Sequence, residues 1–285
     1  MGLEAVLWTL AATFFSGLQV FFQKVVAQEK RGAALNGAFM YGLSGVAAFL
    51  ALFYYDVPNA WVWVSLYAIA GGVVHAIGNY VRIEGLKHID SVIFFPLNKV
   101  LGPLVVLVGS VFILDEHLTQ LQLVGVIVSM CVPLLLISTS ERHRQQNLAL
   151  GLVFLVVSTV LTSISQILTK LGVGLDPAVF FMMGVSQLAG FVSSGVMHTR
   201  STETISALKD RRDWELGLIA GLLAFVSFYA LLKAMSLGQL SIVYTIHAHY
   251  ILIPIILSVW WYGEHINARK LLAVCISFVA IGLLI

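Results

Sequence analysis

Lys99 lies deep inside an apolar stretch, Val92-Ile-Phe-Phe-Pro-Leu-Asn-Lys-Val-Leu-Gly-Pro-Leu. An ammonium that far from polar flanks needs a carboxylate, a cluster of carbonyls or an aqueous cavity. Pro96 and Pro103, on either side of it, remove backbone donors and leave carbonyls that only protein or water can satisfy. Pro254 does the same in a later stretch, close to Tyr244, His247, His249 and Tyr250. The chemistry these residues offer is binding: a lysine holds a carboxylate or phosphate, and imidazoles carry protons near neutral pH.

His75, Asn79 and Arg82 recur at i, i+4 and i+7 and share one helical face. In an apolar helix that face must point toward protein or a water-filled cavity, which places His75 and Asn79 on a solute path. Arg82 and Glu84 approach the end of their stretch and read as snorkelling groups or an interfacial pair. The binding candidates are Lys99, His75, Asn79, Asn98, His247, Tyr244, Gln19 and Gln166. Tyr80 and Tyr229 join them because their stretches carry other polar groups. His75, His247 and Glu84 are the groups available for proton coupling, and Pro96, Pro103 and Pro254 are the expected helix breaks. His247 and His249 are two apart, so one faces the cavity and the other packs between helices. Zinc-type pairs sit at i, i+4 instead. No metal, cofactor or catalytic constellation is expected.

The elements that position these groups follow from composition. The chain of 285 residues is 59% hydrophobic and only 11% charged, and its mean hydropathy is +0.95. A soluble domain carries about a quarter charged residues, so lipid is the solvent that fits. The net charge of +2 is small, there is no basic patch with interleaved aromatics, and nucleic acid is not an expected partner. Cys131 and Cys275 read as small buried hydrophobes. The N-terminus lacks a basic segment and cleavage site, and reads as a retained first helix.

A spanning helix needs about 20 apolar residues. Charged and turn-forming clusters divide the chain into ten, near 4–24, 34–54, 61–83, 90–113, 119–138, 148–169, 177–197, 214–234, 240–262 and 269–285. Trp61, Trp63, Trp260, Trp261 and Tyr262, near span ends, read as interfacial belts. Loops after odd-numbered spans hold thirteen lysines and arginines against two on the other side, Lys170 and Lys233. That bias puts the odd loops in the cytoplasm and both termini outside. A C-terminal reporter active only in the cytoplasm would refute this orientation.

Sliding the chain on itself gives ordered matches at a shift of about 146–148. Gln23-Lys24 aligns with Thr169-Lys170, Leu86-Lys87 with Leu232-Lys233, and Asp115-Glu-His-Leu with Gly263-Glu-His-Ile. The two halves are residues 1–140 and 147–285. Five spans is an odd number, so the second half enters the membrane upside down. Such inverted repeats point to alternating access around a midplane site. The expected fold is all-α and integral to the membrane, ten spans in two inverted five-helix repeats.

With Gly85-Leu-Lys and Leu231-Leu-Lys ending the third span of each half, and the turns Leu114-Asp-Glu-His-Leu and Tyr262-Gly-Glu-His-Ile before each last span, the sequence resembles the drug/metabolite transporter superfamily. The likeness, over essentially the whole chain, is to its ten-helix EamA-type members. Pro103, thirteen residues before Glu116, matches the family pattern, whereas Pro254 lies only ten before Glu264. The resemblance implies export or exchange of amino acids, sugars, nucleotide sugars or similar metabolites, and cytoplasmic termini, against the charge count. Small multidrug relatives use a glutamate in the first helix. Here no carboxylate stands between Trp8 and Gln23.

The sequence reading is therefore a gradient-driven transporter of a small anionic or zwitterionic metabolite, such as an amino acid. There is no phosphate-cradling glycine loop for ATP. The partners expected are a small-molecule solute and the bilayer, with the chain a monomer or homodimer in a bacterial inner membrane. The alternatives are a non-transporting scaffold, a lipid or sugar-lipid translocator and, behind these, a membrane-embedded enzyme.

Overall fold

The computed structural model describes residues 1–28, 33–54, 57–86, 88–89, 91–136, 147–175, 178–198, 211–262 and 268–285. The described residues are helical, with no strand. The helices are α1 (Leu3–Gln28), α2 (Ala33–Ala51), α3 (Trp61–Gly85), α4 (Ser91–Ile113), α5 (Gln120–Leu135), α6 (Leu148–Leu175), α7 (Val179–His198), α8 (Arg211–Leu237), α9 (Leu240–Ala248), α10 (Leu252–Tyr262) and α11 (Ala268–Leu284). A 3-10 turn, His249–Ile251, joins α9 to α10 within one span, so these eleven helices make ten spans. Seven spans are long and apolar enough to cross a bilayer by themselves, and α2 and α5 contribute shorter apolar stretches.

Packing follows a pseudo-two-fold pattern. α3 lies on α6 as α8 lies on α1, and α3 on α7 as α8 on α2. α4 meets α6 as the α9–α10 span meets α1, while α2–α7, α4–α9 and α5–α11 pair with their own counterparts. Each half is therefore built against the other.

The molecule buries many small and hydroxylated residues and turns many of its large apolar side chains outward. Phe53, Phe112, Trp260 and Phe278 are exposed, as a lipid-facing surface requires. Several buried hydroxyls are satisfied inside their own helices: Thr13 donates to Thr9 O (2.7 Å), Thr159 to Leu155 O (2.7 Å) and Thr245 to Ser241 O (2.6 Å). Cys131 and Cys275 depart from the expectation, since both are free thiols on the exposed surface. In lipid an outward thiol costs no more than an inward one, so burial was not required.

Close approach of α3 to α7 depends on Gly72. A Cβ there would overlap the backbone oxygen of Ser186. Gly72→Ala is expected to cost about 1–3 kcal/mol through overpacking, read as a lowered melting temperature. Gly282→Ala, with open space around it, is the neutral control.

The proline expectation needs correction in one half. α4 runs through both Pro96 and Pro103 without interruption. Among the described residues, only the span with Pro254 changes its winding. α10 starts at Leu252, which places Pro254 in a first turn whose N–H groups have no helical acceptor anyway. Pro103 and Pro254 disturb the carbonyls four residues earlier, those of Lys99 and Tyr250.

Candidate functional site

A cavity of about 670 Å³ lies between the halves. It is lined from α1, α2, α3, α4, α6, α7, α8 and the α9–α10 span, with Leu136 at the end of α5. Its lining includes Gln23 near the end of α1, Met40 in α2, Arg82 in the last turn of α3 and Phe95 at the start of α4. These positions lie toward the odd-numbered loops, so the cavity runs from mid-depth to that face.

Eight sequence candidates meet there: Gln19, His75, Asn79, Asn98, Lys99, Gln166, Tyr244 and His247. The Lys99 Nζ sits 4.2 Å from the centroid of the Tyr250 ring, a cation–π contact across α4 and the 3-10 turn. Asn79 Nδ2 donates to the Tyr41 hydroxyl (2.7 Å) and Asn98 Nδ2 to Thr159 Oγ1 (2.7 Å). His247 Nε2 lies 3.1 Å from Ser16 Oγ, which is 2.5 Å from Ser227 Oγ. That chain ties the α9 span to α1 and α8. Asn79 Oδ1 and Gln166 Oε1 are buried and have no hydrogen-bond partner among the described residues.

Other expectations land elsewhere. Tyr80 is 50% exposed on the outer surface, because one residue along a helix turns about 100° away from Asn79. Tyr229 packs between Trp8, at 5.7 Å edge-to-face, and Phe180, at 4.8 Å and stacked. Glu84, Pro103 and Pro254 are outside the cavity lining, whereas Pro96 lines it. His249 turns away, its Nδ1 3.0 Å from Thr245 O and 3.2 Å from Ile246 O.

Arg82, read above as interfacial, lines the cavity. Its i+7 spacing from His75 was the available signal. With Lys99 it makes two full cations, and no carboxylate is among the described lining residues.

The opposite end is packed shut by Met182, Leu232, Met235, Leu240 and Val243. Glu116 anchors it. The residue before it, Asp115, has φ 56°, a left-handed geometry that Asp tolerates better than most. Glu116 N–H thereby folds back to Ser110 O (3.1 Å), and its carboxylate reaches the start of α9. Leu240 N–H donates to Oε1 (2.5 Å), while the Ser241 N–H and hydroxyl donate to Oε2 (3.0 and 2.7 Å). Lys170 caps the end of α8 from α6, donating to Met235 O (2.5 Å) and Gly238 O (2.7 Å). A carboxylate at one helix start and an ammonium at the preceding helix end suit both helix dipoles. Glu116 was visible in sequence only as part of a turn motif. The matching Glu264 lies outside the described residues, as do Lys30, Arg31, Lys87, Arg142, Arg144, Arg200 and Lys209 of the charge count.

The EamA-like transporter family matches residues 3–138 and again 149–285. The chain belongs to that family. This EamA-like protein is a multi-pass membrane transporter of the drug/metabolite type, and members of its family are transporters rather than enzymes. A solved protein crystal structure, 17% identical, is similar with a TM-score of 0.78 over 98% of this chain and 95% of its own. At that identity the likeness concerns the fold. No curated protein matches the EamA-like chain.

Proposed function

We propose that the cavity is the solute site of a gradient-driven transporter that works by alternating access on a small anionic or zwitterionic organic solute. Lys99 is its charge partner. The observation that carries this reading is an ammonium at mid-depth, held against the Tyr250 ring, in a described lining without a carboxylate. In a low-dielectric site such a charge favours an acidic solute strongly. The cavity between two halves, sealed at one end, fits one state of an alternating-access cycle. His247, joined to Ser16, and His75 are the groups available to carry a proton with the solute.

The test is a thermal-shift and calorimetric screen of purified full-length protein against amino acids, carboxylates, sugar phosphates and quaternary amines. Acidic or zwitterionic solutes are expected to bind saturably and quaternary amines not to bind. Binding of the amines alone would overturn the reading.

A further inference from the structure

The charge inventory of the cavity goes further than a single anion site. We infer that the preferred solute carries two acidic charges, as a dicarboxylate or a phosphate ester does, together with a hydroxyl donor. This rests on the transport reading above and narrows its solute. At about 1.5 Å per residue, Lys99 lies roughly 12 Å from the start of α4 and Arg82 roughly 5 Å from the end of α3. Their backbones thus differ in level by roughly 7 Å, a gap that two long side chains reaching into one cavity can close on a small molecule. Neither cation has a carboxylate partner among the described residues, and both line the same space.

A zwitterion meets this site badly, because its ammonium adds a third positive charge where none is neutralised. A monoanion leaves one cation uncompensated. A dianion matches both, and the planar guanidinium holds a carboxylate or phosphate by two parallel hydrogen bonds. Asn79 and Gln166 line the same cavity and each has an amide oxygen unpartnered among the described residues, so a hydroxyl on the body of the solute finds an acceptor once either amide turns into the cavity.

Binding to purified protein is measured for malate, succinate, glycerol 3-phosphate, butyrate and alanine. Malate or glycerol 3-phosphate is expected to bind at least about tenfold more tightly than butyrate or alanine, and malate more tightly than succinate. The order of malate and glycerol 3-phosphate says which acid the site takes. Arg82→Gln is expected to weaken the dianion about 10- to 100-fold and the monoanion far less. Butyrate or alanine binding as tightly as malate, or an unchanged dianion preference in R82Q, overturns the inference but leaves an anion transporter standing. Failure of all acidic solutes overturns both. Parity of malate and succinate removes the donor requirement.

A separate observation lies behind Lys99. A small pocket of about 10 Å³ is lined by Lys99, Pro103, Ser129, Pro133, Thr245 and His249. Two of its polar atoms, Ser129 Oγ and His249 Nε2, are buried without a partner among the described residues, and both residues are only 5% exposed. Because His249 Nδ1 faces two carbonyl oxygens, it carries the proton, and Nε2 is a bare acceptor. The space is about what one water needs, and the polar groups supply its partners. The geometry points to a resident water that donates to His249 Nε2, accepts from Ser129 and ties α5 to the 3-10 turn next to Lys99.

Ser129→Ala gives opposite signs in the two cases. With the water, the loss of an anchor lowers the melting temperature by about 2–4 °C. In a dry pocket the same change removes an unsatisfied hydroxyl and raises it. A structure resolving solvent is expected to show one peak within hydrogen-bond distance of both atoms. A raised or unchanged melting temperature, or a pocket without that peak, overturns the water site.

Discussion

Lys99→Ala is expected to weaken binding of acidic solutes at least about tenfold to a hundredfold, the loss of a charge-assisted hydrogen bond in a desolvated site. The fold is expected to survive. The lysine's contact with the Tyr250 ring, at 4.2 Å, contributes about 0.5–2 kcal/mol, and its removal also relieves the cost of holding a charge away from bulk water. Helical content by circular dichroism stays the same, and the melting temperature holds or rises. Lys99→Arg keeps the charge but not the compact head, so partial binding is expected. Solute flux in Lys99→Ala proteoliposomes equal to that of the native protein would sink the assignment.

Glu116→Ala acts on stability and on the sealed end of the cavity. It strips the acceptor from two backbone N–H groups and the Ser241 hydroxyl at once. These bonds are buried and charged, so the expected cost is about 3 kcal/mol or more. With its cap gone, the start of α9 frays beside Gly238, the residue that Lys170 holds from the other side. A cysteine placed at Gly238, in a background lacking Cys131 and Cys275, is then expected to react several-fold faster with a membrane-impermeant maleimide. Glu116→Gln keeps one acceptor oxygen and falls between. Unaltered melting and labelling in Glu116→Ala would show that the seal does not depend on this carboxylate.

These two residues differ in how far sequence alone reached. Lys99 was legible because a charge in apolar sequence is costly wherever it points, and the prolines beside it marked the same region. Glu116 was not, since its role depends on the start of a helix 124 residues further on. Arg82 shows an intermediate case. Its spacing from His75 put it on the right face, but nothing local distinguished a cavity mouth from a lipid interface.

The chain by itself determined that the protein is a membrane protein, where its spans fall and that its halves repeat in opposite orientations. Each of these comes from a local rule. A span must be apolar because the bilayer offers its backbone no hydrogen bonds, and an odd number of spans in the first half inverts the second. Tertiary structure alone decided the phase of each helix. Asn79 faces the cavity while Tyr80 faces outward, His247 meets Ser16 while His249 turns back on its own carbonyls, and Tyr229 packs against Trp8 and Phe180. The reason is that lipid and protein interior are equally apolar. A soluble helix advertises its buried side by contrast with water, whereas these helices are apolar nearly all round. Which side meets the other half is settled only when the two halves pack.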